Sequence, residues 1–203
     1  MFKNRNSAAI ELVEKLAKYK NRNAIVLAIP RGGVPIGAVV AKALGLPLDI
    51  VLSKKIGHPY NQEFAIGSVS LDGVFLDENA KLVSTEYIKK ESQRIVNGLQ
   101  QKYKLLMGNK EPLNIKGKTV LLVDDGIATG NTVIASLETI KKKGPSKTVV
   151  VSPVAPPDTV RKLEKYADEV ICLLIPGGFH STSEFYEDFS EVSDNEVKIL
   201  LGT

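Results

Sequence analysis

The chain has very little cysteine and no long apolar run. Its 203 residues include one cysteine, Cys172, so no disulfide can form within the chain and no pair of thiols can hold a metal. Cys172 lies in the apolar run 170–175, where a small core residue is expected. No apolar run reaches membrane-spanning length, and the amino-terminal segment lacks the apolar region of a signal peptide. We therefore expect a cytoplasmic protein without a membrane partner.

A strong excess of one charge is also missing. The formal net charge is +4, and the lysines and arginines are scattered along the chain. The short run 141–143 precedes Gly144, so it is better explained as a solvated helix end than as a nucleic-acid patch. The mild basic excess suits small anionic substrates equally well. We expect no nucleic-acid partner.

Apolar runs of strand length alternate with helical patterns along the chain. The runs at 24–29, 48–53, 119–123, 148–154 and 169–174 are separated by helix-length segments. This order predicts an α/β fold with right-handed crossovers, a mostly parallel sheet and helices on both faces. A further short strand is predicted at 64–70, Asp72-Gly73 predicts a hairpin turn, and 79–107 has a mostly helical pattern.

The stretch 119–132 reads T-V-L-L-V-D-D-G-I-A-T-G-N-T. Its apolar start is typical of a strand buried on both faces, and the small and hydroxylated residues after it lead into a helical pattern. Small residues let backbone N–H groups approach an anion, and the helix start adds unpaired N–H groups and a positive dipole end. The stretch therefore predicts a phosphate-binding loop. The adjacent Asp124 and Asp125 are better suited to sugar hydroxyls or to a divalent cation that the phosphates also bind.

Commoner phosphate motifs do not fit this stretch. A Walker loop needs a lysine that is absent here, and the glycine spacing of a dinucleotide fingerprint is absent as well. The alternative without a ligand is an ordinary strand, turn and helix cap, in which the Asp and Thr side chains only accept hydrogen bonds from N–H groups of the helix.

Two other strand ends carry cations. Pro30-Arg31-Gly32-Gly33 follows the first predicted strand and offers backbone amides and a guanidinium group suited to phosphate, although a glycine-rich turn with a surface arginine is the alternative. Lys54 and Lys55 end the next predicted strand, where a pair of solvated lysines is the alternative. Ligands of open parallel sheets bind beyond the carboxyl ends of the strands. We therefore expect these cations and Asp124-Asp125 to meet at one edge.

The stretch 119–132 resembles the 5-phosphoribosyl 1-diphosphate (PRPP) loop of type I phosphoribosyltransferases, with two acids followed by T-G-x-T. The segments P-R-G-G-V-P, K-K-I-G, F-A-I-G and Y-E-D-F-S are similar to those of a bacterial branch of predicted phosphoribosyltransferases. The resemblance covers most of 25–174 in the family's order. It implies a Rossmann-like α/β fold with a small hood and a helical insertion. We expect one domain, 1–203, with a core at 22–55 and 115–175, an insertion at 72–114 and a hood or tail at 176–203.

The resemblance also implies a role for each part of the site. Asp124 and Asp125 would hold the ribose hydroxyls and, through these or through water, Mg²⁺. Arg31, Gly32 and Gly33 would form the diphosphate loop, which in this family often carries a strained peptide bond, and Lys54 or, by slight preference, Lys55 would be the basic group beside it. The catalytic set would be Asp124, Asp125, Arg31 and Lys55. The loop for the 5-phosphate would comprise Gly126, Ala128, Thr129, Gly130, Asn131 and Thr132.

The lid and the acceptor site are less defined by the sequence. The family's flexible loop would correspond to 56–63, which is short here, so the long segment 79–112 is the other candidate lid. His58 lies in the short loop and is interpreted as incidental. Phe179 is the candidate for stacking on the acceptor base, with packing of the tail as the alternative for it, and Phe185, Tyr186 and Phe189 are expected to pack the tail onto the core.

The resemblance implies a Mg²⁺-dependent transferase of nucleotide metabolism. It would move a 5-phosphoribosyl group from PRPP to a nucleobase-like acceptor with release of diphosphate, or catalyse the reverse reaction. A non-catalytic PRPP or nucleotide sensor and a phosphoribosyl hydrolase are the alternatives. The sequence leaves open the base, the direction of reaction and the oligomeric state, for which a homodimer is the candidate assembly.

Overall fold

The computed structural model describes residues 1–71 and 73–203, with Glu63 described by its backbone alone. The strands in these residues are β1 (Ala24–Ala28), β2 (Leu48–Ile50), β3 (Ser53–His58), β4 (Asn61–Ser70), β5 (Gly73–Leu76), β6 (Thr119–Val123), β7 (Lys147–Val154) and β8 (Glu169–Leu174). The α-helices are α1 (Arg5–Lys15), α2 (Gly33–Leu44), α3 (Thr85–Met107), α4 (Asn131–Lys142), α5 (Pro157–Leu163) and α6 (Asp194–Leu201). Short 3-10 helices lie at Ala17–Tyr19, Glu78–Leu82 and Thr182–Phe185.

The central sheet has five strands in the order β2-β1-β6-β7-β8, and every neighbouring pair is parallel. In β1 and β6, buried side chains alternate between the two faces of the sheet. Val26 and Leu121 pack with α1 and α2 on one face, whereas Ile25 and Leu122 pack with α4 and α5 on the other. The predicted α/β fold, with a mostly parallel sheet and helices on both faces, is confirmed. None of the helices in the described part of the chain combines the length and the apolar character that crossing a bilayer would need.

A second, three-stranded sheet in the order β3-β4-β5 corrects the predicted strand at 48–53. The parallel strand β2 ends at Ile50, and the chain then starts β3, which pairs antiparallel with β4. The prediction was wrong because the Lys54-Lys55 pair was interpreted as a strand terminus. The two lysines instead lie within β3, and Ile56 of β3 and Ile66 of β4 are both fully buried. The segment 56–63 is therefore a strand, turn and strand rather than an irregular loop.

The remaining predictions for this region have mixed outcomes. The strand expected at 64–70 is confirmed within β4. The hairpin turn was predicted at Asp72-Gly73; Asp72 lies outside the described residues, and the flanking strands pair antiparallel with Val69 opposite Val74. The helical pattern at 79–107 corresponds to the 3-10 helix Glu78–Leu82 followed by α3. Helix α6 near the carboxyl end was not predicted.

The amino-terminal residues pack against the segment 185–189 beside the sheet. Phe2 forms a parallel bridge with Tyr186, and the N–H group of Phe2 donates to the carbonyl of Phe185 at 2.8 Å. Tyr186 is 5% exposed, and its ring lies 4.9 Å from that of Phe189 and 5.4 Å from that of Phe2. The expectation that Tyr186 packs the tail onto the core agrees with this burial. The segment after β8 is thereby held close to α1.

At the amino ends of β7 and β8, Glu169 joins these strands to the 3-10 helix Ala17–Tyr19 that follows α1. Its carboxylate accepts hydrogen bonds from the Lys147 ammonium and the Tyr19 hydroxyl, both at 2.7 Å, and from the Lys18 ammonium at 2.5 Å. Burial alone would raise the pKa of Glu169, but these three hydrogen bonds together outweigh it and lower the pKa to about 2. The charged form of Glu169 therefore stabilises the fold.

We predict that Glu169→Gln lowers the free energy of unfolding by about 1–2 kcal/mol at neutral pH, allowing for the solvent that reaches the cluster. Because the folded pKa lies below the ordinary value of 4.5, this contribution is present above that value and is lost as the pH falls towards 2. Urea unfolding from neutral pH down to about pH 3 would show the gap between wild type and variant shrinking. The exposed Glu164, changed to Gln, is the control. A gap that does not change with pH would contradict the assignment.

Candidate active site

The candidate site lies at the carboxyl ends of β1 and β6, which are neighbours in the sheet. Ala28 and Val123 are opposite each other in the parallel register, so the loops that follow them start side by side. The Ile29 N–H group donates to the Val123 carbonyl at 2.9 Å, which joins the two loops at their origin. The loop after β1 carries Arg31, Gly32 and Gly33, and the loop after β6 carries Asp124 to Gly130. Parallel pairing thus brings together two segments that are far apart in the sequence.

The loop after β6 ends at the start of α4. Gly130 has a φ of 74° and caps this helix, which places the exposed Thr129, Asn131 and Thr132 around its first turn. The loop is held from α5: the Thr159 hydroxyl donates to the Ala128 carbonyl at 2.5 Å, and the Lys162 ammonium donates to the Asn131 side-chain oxygen at 2.8 Å. A helix start with small neighbours and hydroxyl groups is suited to bind a phosphate.

The two adjacent carboxylates of this loop have different environments. Asp124 accepts a hydrogen bond from the Asp125 N–H group at 3.0 Å, and burial, followed by the neighbouring charge of Asp125, raises the pKa of Asp124 well above its ordinary value. Asp125 instead accepts from the Arg5 guanidinium at 2.8 Å. One carboxylate is therefore paired with a cation, while the other loses its proton less readily. Such a split is typical of functional sites.

Gly32 and Gly33 let the loop after β1 lie directly against this acidic pair. A Cβ atom on Gly32 would lie 2.0 Å from the Asp125 Oδ2 atom, and one on Gly33 would lie 2.6 Å from the Val123 carbonyl oxygen. Any larger residue at either position would have to move the loop or the carboxylate. The peptide bond between Pro30 and Arg31 is cis. The two loops thus form one continuous surface at the sheet edge.

Arg31 is directed towards the carboxyl-terminal part of the chain. Its guanidinium group pairs with the Glu191 carboxylate and lies 3.9 Å from the Asp194 carboxylate. The Arg31 side chain is 38% exposed and that of Glu191 is 77% exposed, so solvent and ligands can reach this pair. Arg31 lines a cleft of about 510 Å³ together with Arg5, Gly32, Asp125, Thr182, Phe189, Glu191 and Val192.

Lys54 and Lys55 are neighbours in β3, so they line different clefts. Lys54 shares a cleft of about 370 Å³ with Pro30 of the first loop, Thr132 of the first turn of α4, and Arg94 and Lys102 of α3. Lys55 lines another cleft of about 370 Å³ beside Asn131 and Lys162. Of these two lysines, Lys54 is the one that shares a cleft with the first loop and the start of α4. The preference for Lys55 remains a prediction.

The aromatic candidates are spread over two surfaces. Phe179 stacks on Phe185, with ring centroids 5.5 Å apart, whereas Phe189 lies in the cleft beside Asp125. At the tip of the β3–β4 hairpin, Tyr60 is 94% exposed, and His58 contacts Tyr60 and Phe64 rather than either loop. Phe179 therefore stacks on Phe185 and not beside the Asp124-Asp125 pair, and its stacking on an acceptor base stays a prediction.

Several residues around the site were missed by the sequence reasoning. Arg5 pairs with Asp125, and the Tyr186 hydroxyl donates to the Asp125 carbonyl at 2.6 Å. A Cβ atom on Gly126 would lie 2.1 Å from the Thr182 side chain, so the carboxyl-terminal segment also covers the acidic loop. No local pattern marks these residues because they reach the loop from distant segments. The Y-E-D-F-S segment that contains Tyr186 was the one available signal.

Comparisons with known proteins agree on one family. A family model described as a phosphoribosyl transferase domain matches residues 2–190. A Mycobacterium tuberculosis (strain H37Rv) protein, provisionally named a phosphoribosyl transferase, is 34% identical over 206 residues, which cover 99% of this chain and 46% of the relative. The hypoxanthine/guanine phosphoribosyltransferase of Methanosarcina acetivorans is 30% identical over 146 residues, covering 70% of this chain and 59% of the relative. The chain spans about half the length of the curated relatives it matches.

A solved structure resembles almost the whole chain. The crystal structure of TT1426 from Thermus thermophilus has a TM-score of 0.91 and 37% sequence identity, and the match covers 98% of this chain and 97% of that chain. The similarity therefore includes the second sheet and the carboxyl-terminal segment as well as the central sheet.

We predict that Gly32→Ala weakens binding of PRPP about tenfold or more, because the added methyl group must displace the Asp125 carboxylate or the loop. Isothermal titration calorimetry with PRPP measures this change. Gly177→Ala is the matched control, since a Cβ atom at Gly177 would have no neighbour within 4 Å. Equal affinity of the Gly32 variant and wild type would show that the two loops do not form one ligand surface.

Proposed function

The chain belongs to the phosphoribosyl transferase family, and on that premise we propose that it transfers a 5-phosphoribosyl group between PRPP and a nucleobase-like acceptor. The observation that carries the proposal is the direct contact between the two loops at the sheet edge, where Gly32 fits beneath the Asp125 carboxylate. A ligand with a phosphate at one end, a sugar in the middle and a diphosphate at the other end would match this order of groups.

Each part of the ligand has a proposed partner. The 5-phosphate would bind at the start of α4, where Thr129, Asn131 and Thr132 are exposed. The ribose hydroxyls would bind Asp124 and Asp125. The diphosphate would bind along the Arg31-Gly32-Gly33 loop, with Arg31 and Lys54 as cations of the two adjoining clefts.

In the proposed reaction, the bond between ribose C1 and the diphosphate oxygen breaks, and diphosphate leaves with the electron pair. A nitrogen of the acceptor then bonds to C1 and loses its proton. The protein would contribute position and charge: Arg31 and Lys54 would neutralise the leaving group, and the carboxylates would support the electron-poor ribose. The reaction as proposed needs no nucleophilic side chain.

The carboxylates of Asp124 and Asp125 suit a Mg²⁺ ion that enters the site bound to the substrate phosphates. Among residues 1–71 and 73–203, no cluster of three or more His, Cys, Asp or Glu side chains is placed to hold a metal. Mg²⁺ in proteins is often held by one or two carboxylates together with water and substrate phosphates. Asp125 is already paired with Arg5, so Asp124 is the better candidate ligand. When bound, the ion would neutralise charge on the diphosphate.

Release of diphosphate from PRPP tests the proposal. The full chain would be incubated with PRPP, Mg²⁺ and a panel of purine and pyrimidine bases, and diphosphate would be measured with a coupled assay. We predict release that depends on one or a few bases. Release without any base would support a hydrolase, and binding of PRPP without release would support a sensor. Absence of both binding and release would overturn the proposal.

We further predict that Glu191→Gln strengthens binding of inorganic diphosphate by a few-fold, at most about fivefold, because Arg31 loses a competing partner and an exposed ion pair is worth only ~0.2–1 kcal/mol. Calorimetric titration with diphosphate measures the effect. Glu187→Gln, an exposed change in the same segment, is the control. Unchanged or weaker binding in the Glu191 variant would show that Arg31 does not bind the diphosphate.

A further inference from the structure

Arg5 reaches from the first turn of α1 into the acidic loop, although 120 positions separate it from Asp125. Its Nε atom donates to the Asp125 Oδ2 atom at 2.8 Å, and its Nη1 atom donates to the Ser190 carbonyl at 2.7 Å. The guanidinium carbon also lies 3.9 Å from the centroid of the Phe189 ring. One side chain therefore contacts the acidic loop and two residues of the carboxyl-terminal segment.

This pair is well shielded from solvent, unlike most ion pairs on a protein surface. The Arg5 side chain is 12% exposed and the Asp125 side chain is 13% exposed. Exposed pairs hold their partners weakly, whereas removal of one partner from a shielded pair leaves an uncompensated charge. The guanidinium group also has a fixed, planar set of donors, so it sets the direction of the carboxylate as well as its charge.

The Asp125 carboxylate lies between Arg5, the Asp124 side chain and Gly32. Its Oδ2 atom faces Arg5 and lies where a Cβ atom of Gly32 would be, while the Tyr186 hydroxyl holds the Asp125 carbonyl. In the described part of the chain, no cation pairs with the second oxygen, Oδ1. Arg5 thus fixes one oxygen of the carboxylate, while no cation competes for the other oxygen in these residues.

We propose that Arg5 is a positioning residue for the transfer reaction. It holds the Asp125 carboxylate in the orientation that binds the ribose hydroxyls, and it links that orientation to the carboxyl-terminal segment through Ser190 and Phe189. The proposal rests on the proposed function. It assigns to Arg5 a larger effect on ligands that contain the sugar than on diphosphate alone, for which Arg5 is only a further cation of the cleft.

Calorimetry with three ligands tests this role. PRPP, ribose 5-phosphate and inorganic diphosphate would each be titrated, with Mg²⁺, into wild type, Arg5→Gln, Asp125→Asn and the double variant. We expect Arg5→Gln to weaken binding of the two sugar ligands about tenfold or more, the range typical of groups that orient a binding side chain, with a clearly smaller loss for diphosphate. In the Asp125→Asn background, Arg5→Gln should cause no further loss, because Arg5 acts through that carboxylate.

Two further variants separate a positioning role from a structural one. Arg5→Lys keeps the charge but not the planar donors, so it should recover only part of the affinity for the sugar ligands. Arg22→Gln removes an exposed arginine away from the site and should leave all three affinities unchanged. If Arg5→Gln proves unstable in a thermal melt, Arg5→Lys provides the same comparison between sugar ligands and diphosphate.

The outcomes distinguish this proposal from the proposed function. Wild type that binds none of the sugar ligands would overturn the proposed function itself. Wild type that binds PRPP, with Arg5→Gln binding it equally well, would overturn only the role of Arg5. Equal losses for sugar ligands and diphosphate would also overturn it, because they would show a general structural effect. Additive losses in the double variant would show that Arg5 does not act through Asp125.

Discussion

The site depends on the parallel pairing of β1 with β6. This pairing places Ala28 opposite Val123, so the chain leaves both strands at the same height and on the same edge of the sheet. The strands themselves are held by buried apolar side chains that face α1 and α2 on one side and α4 and α5 on the other. The close contact of Gly32 with Asp125 is a consequence of that geometry.

Charge in the site is balanced by the protein's own residues. Asp125 is paired with Arg5, and Arg31 is paired with Glu191. These pairs differ in burial: the first is shielded, whereas the second is open to solvent. A shielded pair keeps its geometry when a ligand arrives, and an exposed pair can exchange one partner for a ligand at small cost. The two guanidinium groups are therefore suited to different tasks, one to orientation and one to binding.

The central sheet and the acidic loop could be predicted from the sequence because their signals are local. The apolar runs at 119–123 and 169–174 have strand length and strand composition, and the small residues up to Thr132 lead directly into a helical pattern. The second sheet was harder to predict because β3 begins with polar residues, including Lys54 and Lys55. Its buried apolar side chain is Ile56. The pairing of Arg5 with Asp125 could not be predicted, because the two residues are distant in the sequence and no motif marks Arg5 on α1.

Binding of PRPP at the start of α4 is the central claim, and Thr132→Val tests it most directly. Calorimetric titration of PRPP with Mg²⁺ would compare wild type, Thr132→Val and Thr85→Val, which makes the same change in the first turn of α3. A hydrogen bond to a charged phosphate is worth ~1.5–3 kcal/mol, so Thr132→Val should weaken binding about tenfold or more while Thr85→Val binds like wild type. Equal affinity of wild type and Thr132→Val would contradict the claim.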